Sequence, residues 1–402
     1  MRKMGLLGLL AILILPMGCG HAVRSHYSIT LQPDVAGFLM GRAGSQADSN
    51  FIHVLNQTKT EGSFSFIETF CGKLKTLQTS TPLAHWFFVA ANGQLQESDN
   101  DAAVIRYLKT AFAKRIFEDQ EILKKRLNTL GSVDFETQID TPTQQIIVRV
   151  ATKGVDSASL KGLLQNPGGL ELYETYRPID LLPYVAADKD LQKHLQKFTH
   201  SEVDLADKDE PNPMEAEKVH DKDTLANERY SPDVTQKQPK LALFKQEDTS
   251  KVKSYLQGKI ATGSLPTDLR IYFSSQPEKQ GYRYGLYLLR SNHSHATLGG
   301  DIVEYAKADH DKHSQANVIL IQFKPDATQQ WAEMTQKNVD RAIAICVDHK
   351  VYSCPTVMNP ILGGNSQISG DFTKSDARNL ANVIQTPPLP VRLAISKFEL
   401  KD

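Results

Sequence analysis

Apolar residues recur along this chain in two rhythms, and each rhythm marks a different element. Val104, Tyr107, Leu108 and Ala111 return at three-to-four spacing, which predicts a helix from Asp101 towards Leu130, stopped by Gly131. Val133, Phe135, Thr137 and Ile139 alternate as a strand, Thr141-Pro142-Thr143 turns the chain, and Gln145–Val150 forms the partner strand. Ser157–Leu164 reads as a short helix and Leu170–Tyr176 as another strand. Upstream, Ser28–Leu31 is a strand. Asp34–Ala91 is mixed, with an amphipathic piece at Phe64–Leu77 and an aromatic knot at Trp86-Phe87-Phe88.

The order is therefore β-α-β-β-α-β, the ferredoxin-like split motif, interrupted by a partly helical insertion over 34–95. Its simplest packing is a four-stranded antiparallel sheet with two helices on one face. This base domain is assigned to 26–180.

From Asp188 to about Thr235 the pattern fades. The stretch is dense in Asp, Glu, Lys and Gln, carries Pro211 and Pro213, and has few large apolar residues. Such a segment cannot bury enough surface to offset its ordering entropy. A short helix at Asp190–Phe198 and then a disordered linker, over 188–250 in all, are expected.

Order returns near Val252. Leu269–Ser274 and Tyr282–Leu289 read as strands, and Val318–Phe323 as a third. Lys324-Pro325-Asp326 turns the chain, with Asp326 as a helix cap. Ala327, Trp331, Met334, Thr335 and Val339 form one buried helix face. A hairpin follows, Ala342–Val347 and Lys350–Cys354 around Asp348-His349, then a glycine loop from Ile361 to Asn365 and a strand at Gln367–Gly370. Thr373 and Asp376 make a capping box for a helix burying Ala377, Leu380, Ala381 and Ile384. Pro387 and Pro388 end it. The fold class is α+β, with a second, α+β head domain over 251–390 and a strand within 391–402 returning to the base.

Composition narrows the function. The 402 residues leave room for two or three domains, and 46 basic side chains balance 46 acidic ones. No basic excess points to nucleic acid or to anionic lipid. Arg2, Lys3 and the apolar Met4–Leu15 read as a signal peptide, since the apolar run is short for a membrane span. Pro16-Met17-Gly18-Cys19 resembles a lipoprotein processing site, which makes Cys19 the lipidated first residue of the mature chain. Ordinary cleavage nearby and an uncleaved anchor are the alternatives.

Little sequence chemistry stands up. Gly363-Gly364 lacks the Lys-Ser/Thr of a phosphate cradle and reads as a tight turn. His293, His295, His310 and His313, beside Asp309 and Asp311, lack the ligand spacing of zinc modules and read as solvated loop residues. Asp348 reads as a turn residue rather than a catalytic carboxylate. No nucleophile motif, metal site or cofactor site is expected. With a two-residue turn at Asp348-His349, Cys346 and Cys354 fall on opposite faces and stay buried thiols.

One stretch carries a family resemblance. "FKPDATQQWAEMTQKNVDRAIAICVDHKVYSCPTV" and "ILGGNSQISGDFTKSDARNLANVIQTPPLPVRLAI" resemble the periplasmic P1 region of SecD, the preprotein-translocase subunit, with its "AIVLDGKVYSAP", "GGxxQISGNFT" and "A-x-x-L-A" motifs. "LLQNPGGLELYETYR" is similar to the "LLQGxAxLEFWETY" of the long SecD/SecDF form. The chain departs in its Asp348-His349 turn, in lacking "GLDLKGG", and in lacking transmembrane helices. Together with the lipid anchor read from Cys19, the resemblance implies a non-enzymatic protein on the periplasmic face of an envelope membrane. It would bind translocating or unfolded polypeptide and assist Sec-dependent export, through exposed strand edges of the head and apolar surface beside the glycine loop, at Gly363, Gly364, Asn365 and Gln367. The Sec translocon or separate SecD/SecF membrane subunits are the implied partners. A relic repurposed to bind one envelope partner is the alternative.

Overall fold

The strands that build the first sheet come from the two ends of the chain. The computed structural model describes residues 24–59, 62–131, 133–200, 239–278, 283–291 and 296–401. The chain opens with β1 (Ser25–Pro33) and a helical insertion of α1 (Val35–Ala43), α2 (Ser49–Gln57), α3 (Ser63–Leu77) and α4 (Ala84–Phe87). The long α5 (Asp101–Asn128), β2 (Val133–Asp140), β3 (Gln145–Thr152) and α6 (Ser157–Gln165) follow. Next come β4 (Leu170–Thr175), α7 (Leu182–Ala187) and α8 (Lys189–His200). Then come β5 (Lys240–Lys245), α9 (Gln246–Ala261), β6 (Leu269–Ser274), β7 (Arg283–Arg290) and β8 (Leu298–Gly299). The rest is β9 (Val303–Asp311), β10 (Ala316–Phe323), α10 (Pro325–Lys337), β11 (Ile343–Val347), β12 (Lys350–Ser353), β13 (Asn365–Phe372), α11 (Lys374–Ile384) and β14 (Leu393–Lys401).

Short polar side chains start many of these helices, because the first amides of a helix have no partner inside it. Asp34, Asp48, Asn100 and Asp156 each accept from the amide three residues on. Thr373 and Asp376 form both bonds of the expected capping box. Asp326 does not cap α10. Pro325 opens that helix, so Asp326 falls inside the first turn. Val339 lies beyond the helix end and is 38% exposed, because Asn338 closes the helix with its amide on the Met334 carbonyl.

The base is an α+β unit whose sheet has the order β14-β1-β3-β2, antiparallel throughout. Ile29 and Leu31 of β1 and Ile146 and Val148 of β3 are fully buried in one core with Leu108, Phe112, Ile116 and Leu123 of α5. The insertion adds Phe51, Phe70, Trp86 and Phe87 to that core.

The expected fourth strand is a correction. Leu170–Thr175 does not enter this sheet; it pairs with β11 and buries Leu170 and Leu172 in the head. β14 takes the place beside β1. Alternation in β4 suits either sheet, so partner choice is settled by contacts far away in sequence.

The head has two sheets. One has the order β5-β7-β6-β12-β11-β4-β8, with an added β7–β4 pairing that closes β4, β7, β6, β12 and β11 into a ring. The other is three-stranded, β13-β10-β9. Trp331 and Met334 of α10 and Ala377, Leu380, Ala381 and Ile384 of α11 join Ile319, Ile321 and Phe323 of β10 in one core.

Two further expectations change. The helix expected at Asp190–Phe198 forms as α8, but order returns within 188–250 earlier than expected, at β5, where Ala242 packs with Leu191 and Leu195 of α8, Leu256 of α9 and Leu288 of β7. Residues 201–238 of the expected linker lie outside the described residues. The cysteines also move. The β11–β12 register jumps from Ile345↔Ser353 to Cys346↔Val351, leaving Tyr352 as an extra residue. That bulge sets Cys354 opposite Ala344, and Cys354 packs against the cluster holding Ala344 and Cys346. Both remain free thiols, like Cys71, and burial pushes all three above the ordinary thiol range.

The chain crosses between base and head after α6 and again after α11. The fully buried Arg126 of α5 fastens both crossings. Its Nε donates to Thr386 Oγ1 at 3.0 Å, and its Nη atoms to the carbonyls of Leu163 at 3.2 Å, Pro167 at 2.9 Å, and Asn166. Gly168 has φ +82°, and a Cβ there would strike Arg126. Asp119 accepts from the Val391 amide through one oxygen while the other has no partner, and burial pushes its carboxyl up to about 8.

Candidate functional site

The glycine loop and the strand after it sit on one rim of the head. Opposed residues of an antiparallel ladder share a face. The registers align Tyr305, Gln322 and Asn365 in one row and Lys307, Leu320 and Gln367 in the next. Alternation sends Ile319, Ile321 and Ile368 to the core. Asn365 and Gln367 are therefore on the open face of the sheet, and both are exposed.

The two glycines have different jobs. Gly364 is buried with φ +67°, and a Cβ there would collide with the Thr328 side chain of α10. Its carbonyl accepts from the Phe323 amide at 2.9 Å, continuing the β10 ladder into the turn. Gly363 is exposed; a Cβ there would meet only the Asn365 side chain, at 3.7 Å. Only Gly364 is demanded by the turn.

β13 pairs with β10 on one side. On its other side its C-terminal half approaches β12, where the Gly370 Cβ position lies 3.5 Å from the Tyr352 carbonyl and the Phe372 and Tyr352 rings stack at 6.3 Å. No strand among the described residues pairs with Asn365–Gln367 on that side. This half-strand is an unfilled edge.

Beside it lies an apolar rim, formed by two residues that the sequence reading does not name. Met358 is 72% exposed and Leu362 73%. The loop carrying them is fixed rather than loose. Val357 exchanges backbone hydrogen bonds with Asp340 and Arg341, and the Ile361 amide donates to Thr335 Oγ1 at 3.0 Å. The signal was apolar residues without periodicity between Pro355 and Gly363, a pattern that is neither core helix nor core strand. A free strand edge next to fixed, exposed apolar side chains can take an extended peptide by strand addition.

The remaining candidates lie elsewhere. Asp348 and His349 form the hairpin tip with φ 53° and 62°, as a tight turn requires. The Asp348 carboxylate accepts from the amides of Gly169 at 3.0 Å and Gly168 at 3.2 Å; burial raises its pKa, and those amides with Arg126 and Arg392 oppose the rise. His349 Nδ1 lies 3.0 Å from both Glu171 Oε2 and Tyr272 OH. His310, expected in a loop, is a residue of β9 opposite Asn317, and His313 lies in the β9–β10 turn; His293 and His295 lie outside the described residues, and no metal-holding group occurs among the described residues. Cys19 also lies outside them. No helix among them is long and apolar enough to cross a membrane.

Residues 272–391 match the family model of the SecDF P1 head subdomain. The protein translocase subunit SecD of Rickettsia bellii is 32% identical over 166 residues, covering 41% of this chain and 29% of that protein. SecD of Acidaminococcus fermentans is 39% identical over 98 residues, covering 24% and 23%. SecD of Rhodothermus marinus is 23% identical over 396 residues, covering 92% of this chain and 60% of that protein. Among solved structures, SecDF in its super-membrane-facing form aligns over 94% of this chain and 30% of that one, with 15% identity and a TM-score of 0.42. The chain thus spans less than two thirds of the length of these relatives.

Proposed function

We propose, from the premise that residues 272–391 are a SecDF P1 head and that the chain is SecD-like over most of its length, that this protein holds extended polypeptide during protein translocation. The observation that carries this is the unfilled β13 edge at Asn365–Gln367 beside exposed Met358 and Leu362. Backbone amides and carbonyls of the edge would give affinity without sequence preference, and the apolar rim would favour unfolded over folded clients. Asn365 and Gln367 would meet client backbone from the open face, with Gly363 leaving room and Gly364 shaping the turn. The protein would act without catalysis, in the envelope on the periplasmic face of a membrane, held by lipid on Cys19 and working with Sec translocon components.

A photo-crosslinking residue at Leu362 or Gln367 of the full chain, in intact cells, tests this. Crosslinks spread over many exported clients are expected. One discrete partner would instead indicate a dedicated interaction module, and no crosslink would refute both. Asn365→Lys with Gln367→Lys should abolish client crosslinking from Leu362, because a charged edge resists strand addition.

A further inference from the structure

A second site stands apart from that rim, at the joint between head and base. A cleft of about 350 Å³ opens between α9, β12 and the second crossing, large enough for a small ligand. Lys253 from α9, Lys350 from β12 and Arg392 from the crossing all line it. Some head cations sit on carboxylates: Lys240 on Glu278 at 2.9 Å, Lys259 on Asp188 at 2.8 Å, Lys324 on Asp301 at 2.8 Å. Lys253, Lys350 and Arg392 make no side-chain hydrogen bond or ion pair among the described residues. Asp348 is the sole carboxylate in the lining, and it is committed to the amides of Gly168 and Gly169. Ser250, Ser275 and Tyr284 add hydroxyl donors to the same walls. Three cations from three elements thus face one cleft whose sole carboxylate, Asp348, lies in the field of Arg392, in a chain of zero formal net charge.

We propose that this cleft binds a small phosphate-bearing anion. The phosphoryl oxygens offer enough acceptors for the guanidinium, both ammonium groups and the hydroxyls at once. The cleft exceeds a bare phosphate, so the group it takes carries an organic substituent, either on a free phosphate ester or on a lipid headgroup. Because Arg392 belongs to the crossing and both lysines to the head, the bound anion ties the two together.

Titration calorimetry of the full chain with glycerol 3-phosphate tests the free ester, and co-sedimentation with phosphatidic acid against phosphatidylcholine vesicles tests the headgroup. Saturable binding that weakens with salt is expected for at least one probe. The double variant Lys253→Ala, Lys350→Ala and the separate variant Arg392→Gln should each lower affinity about tenfold or more, the size of a lost charged hydrogen bond. Circular dichroism checks their folding, and either variant alone suffices. Free-ester binding lost in a folded variant supports the site. Vesicle binding lost in the same way, without free-ester binding, supports it and assigns the headgroup. No saturable binding of either probe, or unchanged affinity in folded variants, overturns it.

Discussion

The edges of the base and the edge of the head are built to opposite ends. In the base, β14 carries Lys397 and Lys401 on Glu399, at 2.8 and 3.3 Å, and β2 carries Glu136 and Asp134 paired with Arg149 and Arg24. In the head, β9 bears Lys307 and Asp309, β5 bears Lys240 and Lys245, and β8 is only two residues long. Charged side chains and short strands are how proteins keep foreign strands from pairing with a sheet. Asn365, Ser366, Gln367 and Ile368 of β13 have neither protection. The one charge on β13, Asp371, sits at the end already approached by β12. An edge left unguarded where every neighbour is guarded is better explained by use than by neglect.

Three changes would break or sharpen that contrast. The largest effect is expected from Gly364→Val, which sets a branched side chain at positive φ against Thr328. Strain and overpacking together cost about 2–4 kcal/mol. Gly363→Val should cost far less, and thermal melting of the pair separates turn from binding surface: client binding lost in a stable Gly363→Val protein would place Gly363 on the surface itself.

An intermediate effect belongs to the base. Asp119 has a folded-state pKa of about 8 against an ordinary 3.8. A carboxyl raised in this way contributes its full stability below the lower value and loses it as pH rises towards the upper one. Asp119→Asn keeps an acceptor for the Val391 amide, so it should flatten the fall in melting temperature from pH 4 to pH 8. An unchanged slope would mean that another group governs it.

The smallest change in stability, under about 0.5 kcal/mol, is expected from Asp134→Asn with Glu136→Gln. Its value is qualitative: stripping the guard from β2 should make the base edge self-associate or capture unfolded client in light-scattering assays. If the neutralised base edge stays inert, missing charge is not what makes an edge receptive.

Much of this was legible in the residues. Val133–Ile139 and Gln145–Val150 alternate and are strands; the spacing from Val104 runs through α5; Thr373 and Asp376 form their box. What escaped depends on distant partners. The alternation of β4 says that it is a strand but not whose, so sequence assigns it to the base sheet while it pairs with β11 in the head. β5 lay hidden at the end of a polar stretch. One bulge at Tyr352 reversed which face Cys354 occupies. At the site, Gly364 could be read as a turn because positive φ leaves a residue preference. Which strand segment stays free could not be read, since an unmade ladder leaves no mark in composition.

The order of the strands also decides when the base can exist. β1 pairs with β14, yet every other described strand lies between them in sequence. A ribosome must release everything between the two strands before that pairing can close, and contacts of such sequence separation form slowly. The head, lying between them, can condense first, as domains emerging during synthesis generally do. Until then β1 waits with one side unpaired, a nascent edge of its own, and the nine residues of β14 finish the base from the far end.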